Sequence, residues 1–315
     1  VLGNSNPDTL KSYVLLAIML INLGDYKHSL LILTQVYEKR KQLLGDNHPD
    51  TISALKSIGV VNNRLGNYQK ALDIYEQVFE KRKQLLGDNH PSTIDALNNI
   101  GSASKSLGNY QKALDIYEQV YEEYKQLLDD NHPKTISILN KIGSANYKLG
   151  NFKKALKIYE QVYEKRILLL SENHPDTIDT LNCIGSANYK NSNYQQALDI
   201  YKQVYQKRKE LLGDNHPDTI DTLNNIASVY YRLCNFQQAL TTFEQVFEKY
   251  RSILNNNHPN TIEALNNIGV ANNSIGHFQQ ALTSFEQVFK IRKELLGDNH
   301  PNTIEALNNT GIVNT

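Results

Sequence analysis

Histidine recurs in this sequence at a spacing that first invites a metal-binding interpretation. Seven histidines each precede a proline, and neighbouring His-Pro pairs lie 42 residues apart, as from His48 to His90. The seven are His48, His90, His132, His174, His216, His258 and His300. Zn²⁺ needs its histidine nitrogens within about 2.1 Å of a common centre, whereas packed helices are separated by about 8–10 Å. One histidine per unit therefore predicts a structural role, and we expect neither a metal nor a cofactor.

The other chemically reactive residues do not suggest a catalytic site. The two cysteines, Cys183 and Cys234, occupy different phases of the 42-residue repeat, and neither has a partner that suggests nucleophilic catalysis. The sequence contains no Gly-rich phosphate loop, no paired catalytic carboxylates and no triad-like set. We therefore expect a protein that is not an enzyme.

Charge and composition narrow the class of partner. Lys plus Arg and Asp plus Glu each number 33, so the formal net charge is zero, which argues against binding nucleic acid or an anionic membrane by bulk electrostatics. The most apolar run, residues 13–23, is shorter than the roughly 18 residues that span a bilayer and predicts a buried helix. With two cysteines and no visible signal peptide, a cytoplasmic location is expected.

Each 42-residue unit predicts two helices that would position these residues. In residues 48–89, apolar side chains at Ile52, Leu55 and Ile58 recur every three residues, as on one face of a helix. A glycine turn follows, and Asn67 is expected to cap a second helix of about 19 residues that ends at Gly87. Because the breaks are short, the two helices must pack antiparallel as a hairpin.

Small residues at fixed phases predict that the hairpins stack closely. Glycine or alanine recurs at one phase of the first helix, and an alanine followed four residues later by Tyr or Phe recurs on the second, as in Gly101, Ala113 and Tyr117. A lone hairpin cannot bury both apolar faces, so stacking into an all-α solenoid is expected. We predict one array over residues 1–315, with units at approximately 6–47, 48–89, 90–131, 132–173, 174–215, 216–257 and 258–299 and a partial unit at 300–315.

The order of these residues resembles the tetratricopeptide repeat. The matching residues of one unit are Leu97, Ile100-Gly101, Gly108-Asn109-Tyr110, Ala113 and Tyr117. The longer unit, with its LLGDNHPDT connector, is similar to the repeats of kinesin light chain, and the resemblance covers essentially the whole chain. It implies a right-handed superhelix of antiparallel helical hairpins, whose first helices line a concave groove for an extended peptide.

Asparagine recurs at one of the positions that the resemblance places in this groove. The asparagines are Asn98, Asn140, Asn182, Asn224 and Asn266. An asparagine amide both donates and accepts, so it can pair with the N–H and C=O of a peptide backbone without reading its sequence. We predict that these residues hold a peptide backbone. The alternative is a tolerated polar residue on an exposed face.

Cations and aromatic residues occupy other groove positions. The cations are Arg64, Lys105, Lys148, Lys190 and Arg232, joined by Lys56 and Lys141 on the same helices, and the tyrosines are Tyr147, Tyr189 and Tyr231. They predict a locally basic wall that favours an acidic linear motif, with tyrosines flanking an apolar anchor. The alternative is an ordinary solvated face. The acidic residues Asp95, Asp179, Asp221, Glu263 and Glu305 lie near helix starts, where the helix dipole alone explains them.

Two departures from the repeat carry further expectations. Ser192 and Cys234 replace the glycine of the hairpin turn, so these joints are expected to be softer, unless a neighbouring asparagine takes the left-handed conformation. The first helix is apolar all round, with Leu15 and Ile18 on the face of the groove, so a preceding segment covers it or it forms an apolar pocket. Both ends are expected to be internal to a longer protein.

The sequence therefore favours a non-catalytic scaffold that binds an extended partner peptide, as a cargo adaptor of the kinesin light chain type does. The alternative is a regulatory or sensor arm of a larger multidomain enzyme or signalling ATPase, in which the partner is another domain of the same chain. Sequence outside these 315 residues would separate them, because a heptad-rich segment supports the adaptor and a phosphate-binding loop supports the ATPase.

Overall fold

Each 42-residue unit folds into two helices, which confirms the sequence prediction. The computed structural model describes residues 6–313, and the side chains of residues 6–311. These residues form fifteen helices and no strand. The first helices of the hairpins are α1 (Pro7–Asn22), α3 (Pro49–Arg64), α5 (Pro91–Ser106), α7 (Pro133–Lys148), α9 (Pro175–Lys190), α11 (Pro217–Arg232), α13 (Pro259–Ile275) and α15 (Pro301–Val313). The second helices are α2 (Tyr26–Leu44), α4 (Tyr68–Leu86), α6 (Tyr110–Leu128), α8 (Phe152–Leu170), α10 (Tyr194–Leu212), α12 (Phe236–Leu254) and α14 (Phe278–Leu296).

The repeated histidines begin the first helices. Nδ1 of His48 accepts a hydrogen bond from the backbone N–H of Asp50 at 3.1 Å, and Pro49 fills the first helical position. The same cap bond forms at His90, His132, His174, His216, His258 and His300. Each cap satisfies one of the unpaired N–H groups of a helix start. The histidines therefore have the structural role that their spacing predicted.

The second helices begin differently from the prediction. Asn67 makes no side-chain cap bond, and its Nδ2 instead donates to Oδ1 of Asn62 at 3.3 Å. Asn62 lies buried at the end of the preceding helix, where it presents an acceptor next to the turn. The side chain of Asn67 therefore ties the two helices of its hairpin together instead of capping the second. Asn67 thus holds the predicted N-cap position, and its backbone C=O accepts from the N–H of Ala71 at 3.0 Å, but the side-chain cap bond does not form.

The chain divides into two compact units, residues Val1–Ile158 and Tyr159–Thr315. In the first unit, Ile52 and Leu55 of α3 pack with Val78 of α4 and Ala96 of α5. In the second, Ile220 and Leu223 of α11 pack with Val246 and Tyr250 of α12 and Ala264 of α13. Each cluster joins one hairpin to the first helix of the next. Consecutive helices thus share the core of a solenoid of helical hairpins.

Glycine on the first helix allows the close packing that the sequence predicted. A Cβ atom added at Gly101 would lie 2.7 Å from Cε1 of Tyr117, and one added at Gly269 would lie 2.6 Å from Cε1 of Phe285. Both rings are buried, at 1% and 3% exposure, so neither can move aside easily. A side chain at these positions would therefore overpack the core.

Two of the predicted departures take a different form in the structure. Ser192 and Cys234 themselves adopt the left-handed conformation, with φ of 63° and 61°, so no neighbouring asparagine replaces them.

Helix α1 is not the buried helix that residues 13–23 predicted, because Leu15 and Met19 are each 62% exposed. Of the residues of α1, only Leu10 and Ala17 are buried. Its other faces have no described neighbour to cover them.

Candidate functional site

In the first unit, the predicted groove asparagines lie on α5 and α7. Oδ1 of Asn98 accepts a hydrogen bond from Nζ of Lys141 at 2.8 Å. Oδ1 of Asn140 is buried and has no hydrogen-bond partner among the described residues. The two amides therefore differ, because the oxygen of the first is bonded within the fold and the oxygen of the second is not.

The second unit repeats this difference between its own asparagines. The Oδ1 atoms of Asn182 on α9 and Asn224 on α11 are buried and unpartnered among the described residues. Oδ1 of Asn266 on α13 accepts from Nδ2 of Asn309 at 3.1 Å. The donor in each satisfied case lies on the next first helix, 43 residues further along the chain. Sequence reasoning missed this cross-helix bond, although the spacing is visible in the repeat.

Two lysines form a cluster between α5 and α7 of the first unit. Nζ of Lys105 donates to Oγ of Ser144 at 2.7 Å, and Nζ of Lys141 donates to Oγ of Ser102 at 3.1 Å. Burial and the nearby Lys105 charge together lower the pKa of Lys141 to about 8. This is the part of the predicted basic wall where the structure concentrates positive charge.

The other predicted cations do not join this cluster. Arg64, Lys148 and Lys190 are exposed. Arg232 stacks on the ring of Tyr194 at 5.4 Å and donates from Nη2 to the Tyr194 hydroxyl at 2.8 Å. The guanidinium of Arg232 is therefore already engaged within the second unit.

The three predicted groove tyrosines are partly buried and pack within their own hairpins. Tyr147 meets the ring of Phe152 at a centroid distance of 5.3 Å. Tyr189 and Tyr231 pack in the same way on Tyr194 and Phe236, the residues that open α10 and α12. These contacts fix the turn between the helices of a hairpin, so an aromatic anchor site at the tyrosines remains a prediction.

The acidic residues near the helix starts have specific partners on the second helices. Asp179 accepts from Nη2 of Arg208 at 2.6 Å, and Asp221 accepts from the hydroxyl of Tyr250. Burial, with the adjacent carboxylate as the second cause, raises the pKa of Tyr250. Arginine or tyrosine recurs at this phase every 42 residues, at Arg40, Arg82, Tyr124, Arg166, Arg208, Tyr250 and Arg292. That pattern was the signal for an inter-helix tie, and the helix dipole alone was an incomplete explanation.

A small cavity lies on the second unit at α11–α13. It has a volume of about 100 Å³, and its lining includes Asp221, Asn224, Asn260 and Glu263. Two carboxylates and an unpartnered amide oxygen make this cavity acidic, in contrast to the cluster at Lys105 and Lys141. Glu263 also accepts from Nη2 of Arg292 at 3.3 Å, so part of its charge is balanced.

Residues 6–313 contain neither a candidate metal site nor a candidate membrane span. No group of three His, Cys, Asp or Glu side chains among these residues is arranged to hold a metal ion. None of the helices formed by these residues is both long enough and apolar enough to cross a membrane.

Comparison with known proteins gives one family and several similar folds. The model of the tetratricopeptide repeat family matches residues 8–84, 58–126, 92–166, 176–252 and 218–294. A candidate kinesin light chain of Podosopora anserina, with nearly identical repeats, is 23% identical over 66% of this chain and 98% of its own, with a TM-score of 0.58. No curated protein sequence matches the chain.

Two further solved structures match nearly the whole chain. A tetratricopeptide repeat protein of Parabacteroides merdae is 19% identical over 98% of this chain and 100% of its own, with a TM-score of 0.63. A signal transduction ATPase of Pyrococcus horikoshii with a tetratricopeptide repeat sensor is 15% identical over 98% of this chain, with a TM-score of 0.68. This chain corresponds to 47% of that ATPase. At these identities the likeness concerns the fold alone.

Proposed function

Because this chain belongs to the tetratricopeptide repeat family, whose members are typically non-catalytic scaffolds, we propose that its first helices bind an extended segment of a partner protein. One observation carries the proposal, namely the buried and unpartnered Oδ1 atoms of Asn140, Asn182 and Asn224. A buried acceptor without a hydrogen bond costs about 1–3 kcal/mol. Rotation of the amide toward the face of its helix would bring this oxygen to a peptide N–H, and the new bond would remove the cost.

The asparagines recognise a main chain and leave the choice of sequence to their neighbours. An amide pairs equally well with any peptide group, so this part of the interaction is independent of the partner's side chains. Charges beside the asparagines then select the sequence. The positive charges of Lys105 and Lys141 favour an acidic residue in the bound segment. The acidic cavity beside Asn224 favours a cationic residue. An acidic linear motif therefore fits the first unit better than the second.

A second candidate function is a regulatory arm whose partner is another domain of the same protein. The exposed apolar side chains of α1 favour it, because Leu15 and Met19 are 62% exposed and Ile18 is 45% exposed. An apolar surface of this kind is a common place for another domain to pack. The first helices would hold a segment of the same chain in this case, so the role of the asparagines is unchanged.

A peptide array tests the proposal directly. The triple variant N140A/N182A/N224A should lose affinity about tenfold or more for most bound peptides, whatever their sequence, because each change removes one main-chain contact. Asn256→Ala, an exposed asparagine in the connector before α13, is the matched control and should bind as the wild type does. Undiminished binding by the triple variant would refute the backbone-holding role.

A further inference from the structure

The lysine cluster on the first unit is built from reciprocal contacts between two first helices. Ser102 and Lys105 lie one turn apart on α5, and Lys141 and Ser144 lie one turn apart on α7. Lys105 donates across to Ser144 at 2.7 Å, and Lys141 donates back to Ser102 at 3.1 Å. The two ammonium groups are therefore held on the same face by bonds that run in opposite directions.

The repeat itself shows that these lysines are not needed for stacking. At the phase of Lys105, later units carry Tyr147, Tyr189, Tyr231 and Asn273, and at the phase of Lys141 they carry Cys183, Asn225, Asn267 and Asn309. Neighbouring first helices α11 and α13 pack through the same core without a lysine at either phase. The charges at α5 and α7 are thus a local addition to a scaffold that is stable without them.

The contacts around Lys141 leave its charge without a bonded anion. Its Nζ bonds to two neutral oxygens, Oδ1 of Asn98 and Oγ of Ser102, and it lies 5.4 Å from the centre of the Tyr117 ring. Asp95, the carboxylate with some influence on Lys141, bonds directly to Lys134 and Tyr124 instead. Burial and the charge of Lys105 make the protonated form of Lys141 costly, and its pKa falls to about 8. An anion between the two lysines would remove this penalty.

We propose that Lys105 and Lys141, with the hydroxyl of Ser144, bind the phosphate group of a phosphorylated serine or threonine in the partner segment. The inference rests on the proposed function, since it assigns one side chain of the peptide that the asparagines hold. A phosphate on serine carries a charge of about −1.5 to −2 at neutral pH and three acceptor oxygens. It therefore neutralises two ammonium groups together, whereas a glutamate neutralises one. The four-carbon stem of lysine allows its ammonium group to turn toward a tetrahedral anion.

Three labelled peptide libraries test this assignment. They have randomised flanks and a fixed central phosphoserine, serine or glutamate, and binding to the whole chain is followed by fluorescence anisotropy. The phosphoserine library should bind at least tenfold more tightly than either of the others. Lys105→Met and Lys141→Met, which keep an apolar stem, should each abolish most of this preference. Lys153→Met, an exposed lysine on α8, should keep it. Equal binding of the phosphoserine and glutamate libraries, or a preference that survives in both lysine variants, would overturn the proposal.

Inorganic phosphate separates a failure of this site from a failure of the proposed function. Titration with phosphate, followed through the NMR signals of the lysine side-chain CH₂ groups, should give a saturable shift at Lys105 and Lys141 that N140A/N182A/N224A retains. If phosphate shifts these signals while no library binds, the anion site stands and the peptide-binding function is wrong. If the libraries bind through the asparagines with no preference for phosphoserine, the function stands and the anion site is wrong.

Discussion

Two surfaces of the molecule use the same repeat for opposite charge. On the first unit, α5 and α7 bring Lys105 and Lys141 together over neutral oxygens. On the second, α11 and α13 have asparagine at the phase of Lys141, and Asp221 and Glu263 line a cavity of about 100 Å³. The backbone, the caps and the core positions are alike in both. The difference shows that one repeat keeps the same core while a few positions on its face reverse the local charge.

A larger side chain at the glycine of the first helix should destabilise both units to a similar extent. Gly101→Val and Gly269→Val each introduce a Cβ within 2.7 Å of a buried ring, so each should lower the free energy of unfolding by about 1–3 kcal/mol, measured by urea denaturation. Gly311→Val is the matched control, because no atom lies within 4 Å of a Cβ at this position of the same phase. A change at Gly101 as small as at Gly311 would show that the rings can move and that the cores are not equivalent.

Removing the buried lysine of the first unit should change the stability of the protein and its dependence on pH. The pKa of Lys141 is lowered from 10.5 to about 8, so between these values the unfolded chain binds more protons than the folded protein and stability rises with pH. Below about pH 8 the full penalty is present. The lowered pKa corresponds to about 3 kcal/mol, and loss of the bonds to Asn98 and Ser102 offsets about 1–3 kcal/mol of that gain. Lys141→Met should therefore raise the free energy of unfolding at pH 7 by at most about 2 kcal/mol and flatten its rise above pH 8.

The titratable groups that face Lys141 determine the pH range in which its own contribution to stability can be measured. Lys105 lowers its pKa, Asp95 raises it slightly, and the Tyr117 ring lies against it with a hydroxyl whose pKa is itself raised by burial. Unfolding should be compared between pH 7 and 9, because the tyrosines of the unfolded chain, with a pKa near 10, are still largely protonated over this range. Lys153→Met should leave the pH profile unchanged. A wild-type profile that is flat across this range would mean that Lys141 carries no buried-charge penalty.

The features that repeat were predictable from the sequence, and the differences between units were less so. The fixed spacing predicted the hairpins, the histidines at the helix starts and the close contact at Gly101. Each of these features depends on a residue type that recurs at the same position and has a single structural explanation there. The bond from Lys141 to Ser102 was not predictable, since it depends on side-chain rotamers across two helices. The exposure of Leu15 was missed because an apolar helix indicates burial only when something covers it.

The hairpin turns offer the smallest and most local test of the difference between the units. In the first unit, glycine takes the left-handed position of every turn, at Gly24, Gly66, Gly108 and Gly150 with φ of 80–83°. In the second unit Ser192 and Cys234 hold it at 63° and 61°, while the third turn keeps Gly276 at 92°. The turn hydrogen bonds do not differ, because the N–H of Asn109, Asn193 and Asn235 each donate at 2.9 Å. The cost of a side chain here therefore lies in the backbone dihedrals, and the hydrogen bond itself is intact.

Glycine at these two turns should accordingly stabilise the second unit slightly. A left-handed residue with a Cβ costs about 1–2 kcal/mol, and glycine loses about 0.5–1 kcal/mol more conformational entropy on folding. Ser192→Gly and Cys234→Gly should each therefore raise the free energy of unfolding by up to about 1 kcal/mol, whereas Gly108→Ser should lower it by a similar amount. Hydrogen exchange at the amides of Asn193 and Asn235 should slow toward that of Asn109. If these two amides already exchange as slowly as that of Asn109 in the wild type, the turns are not softer and the two units differ only in their faces.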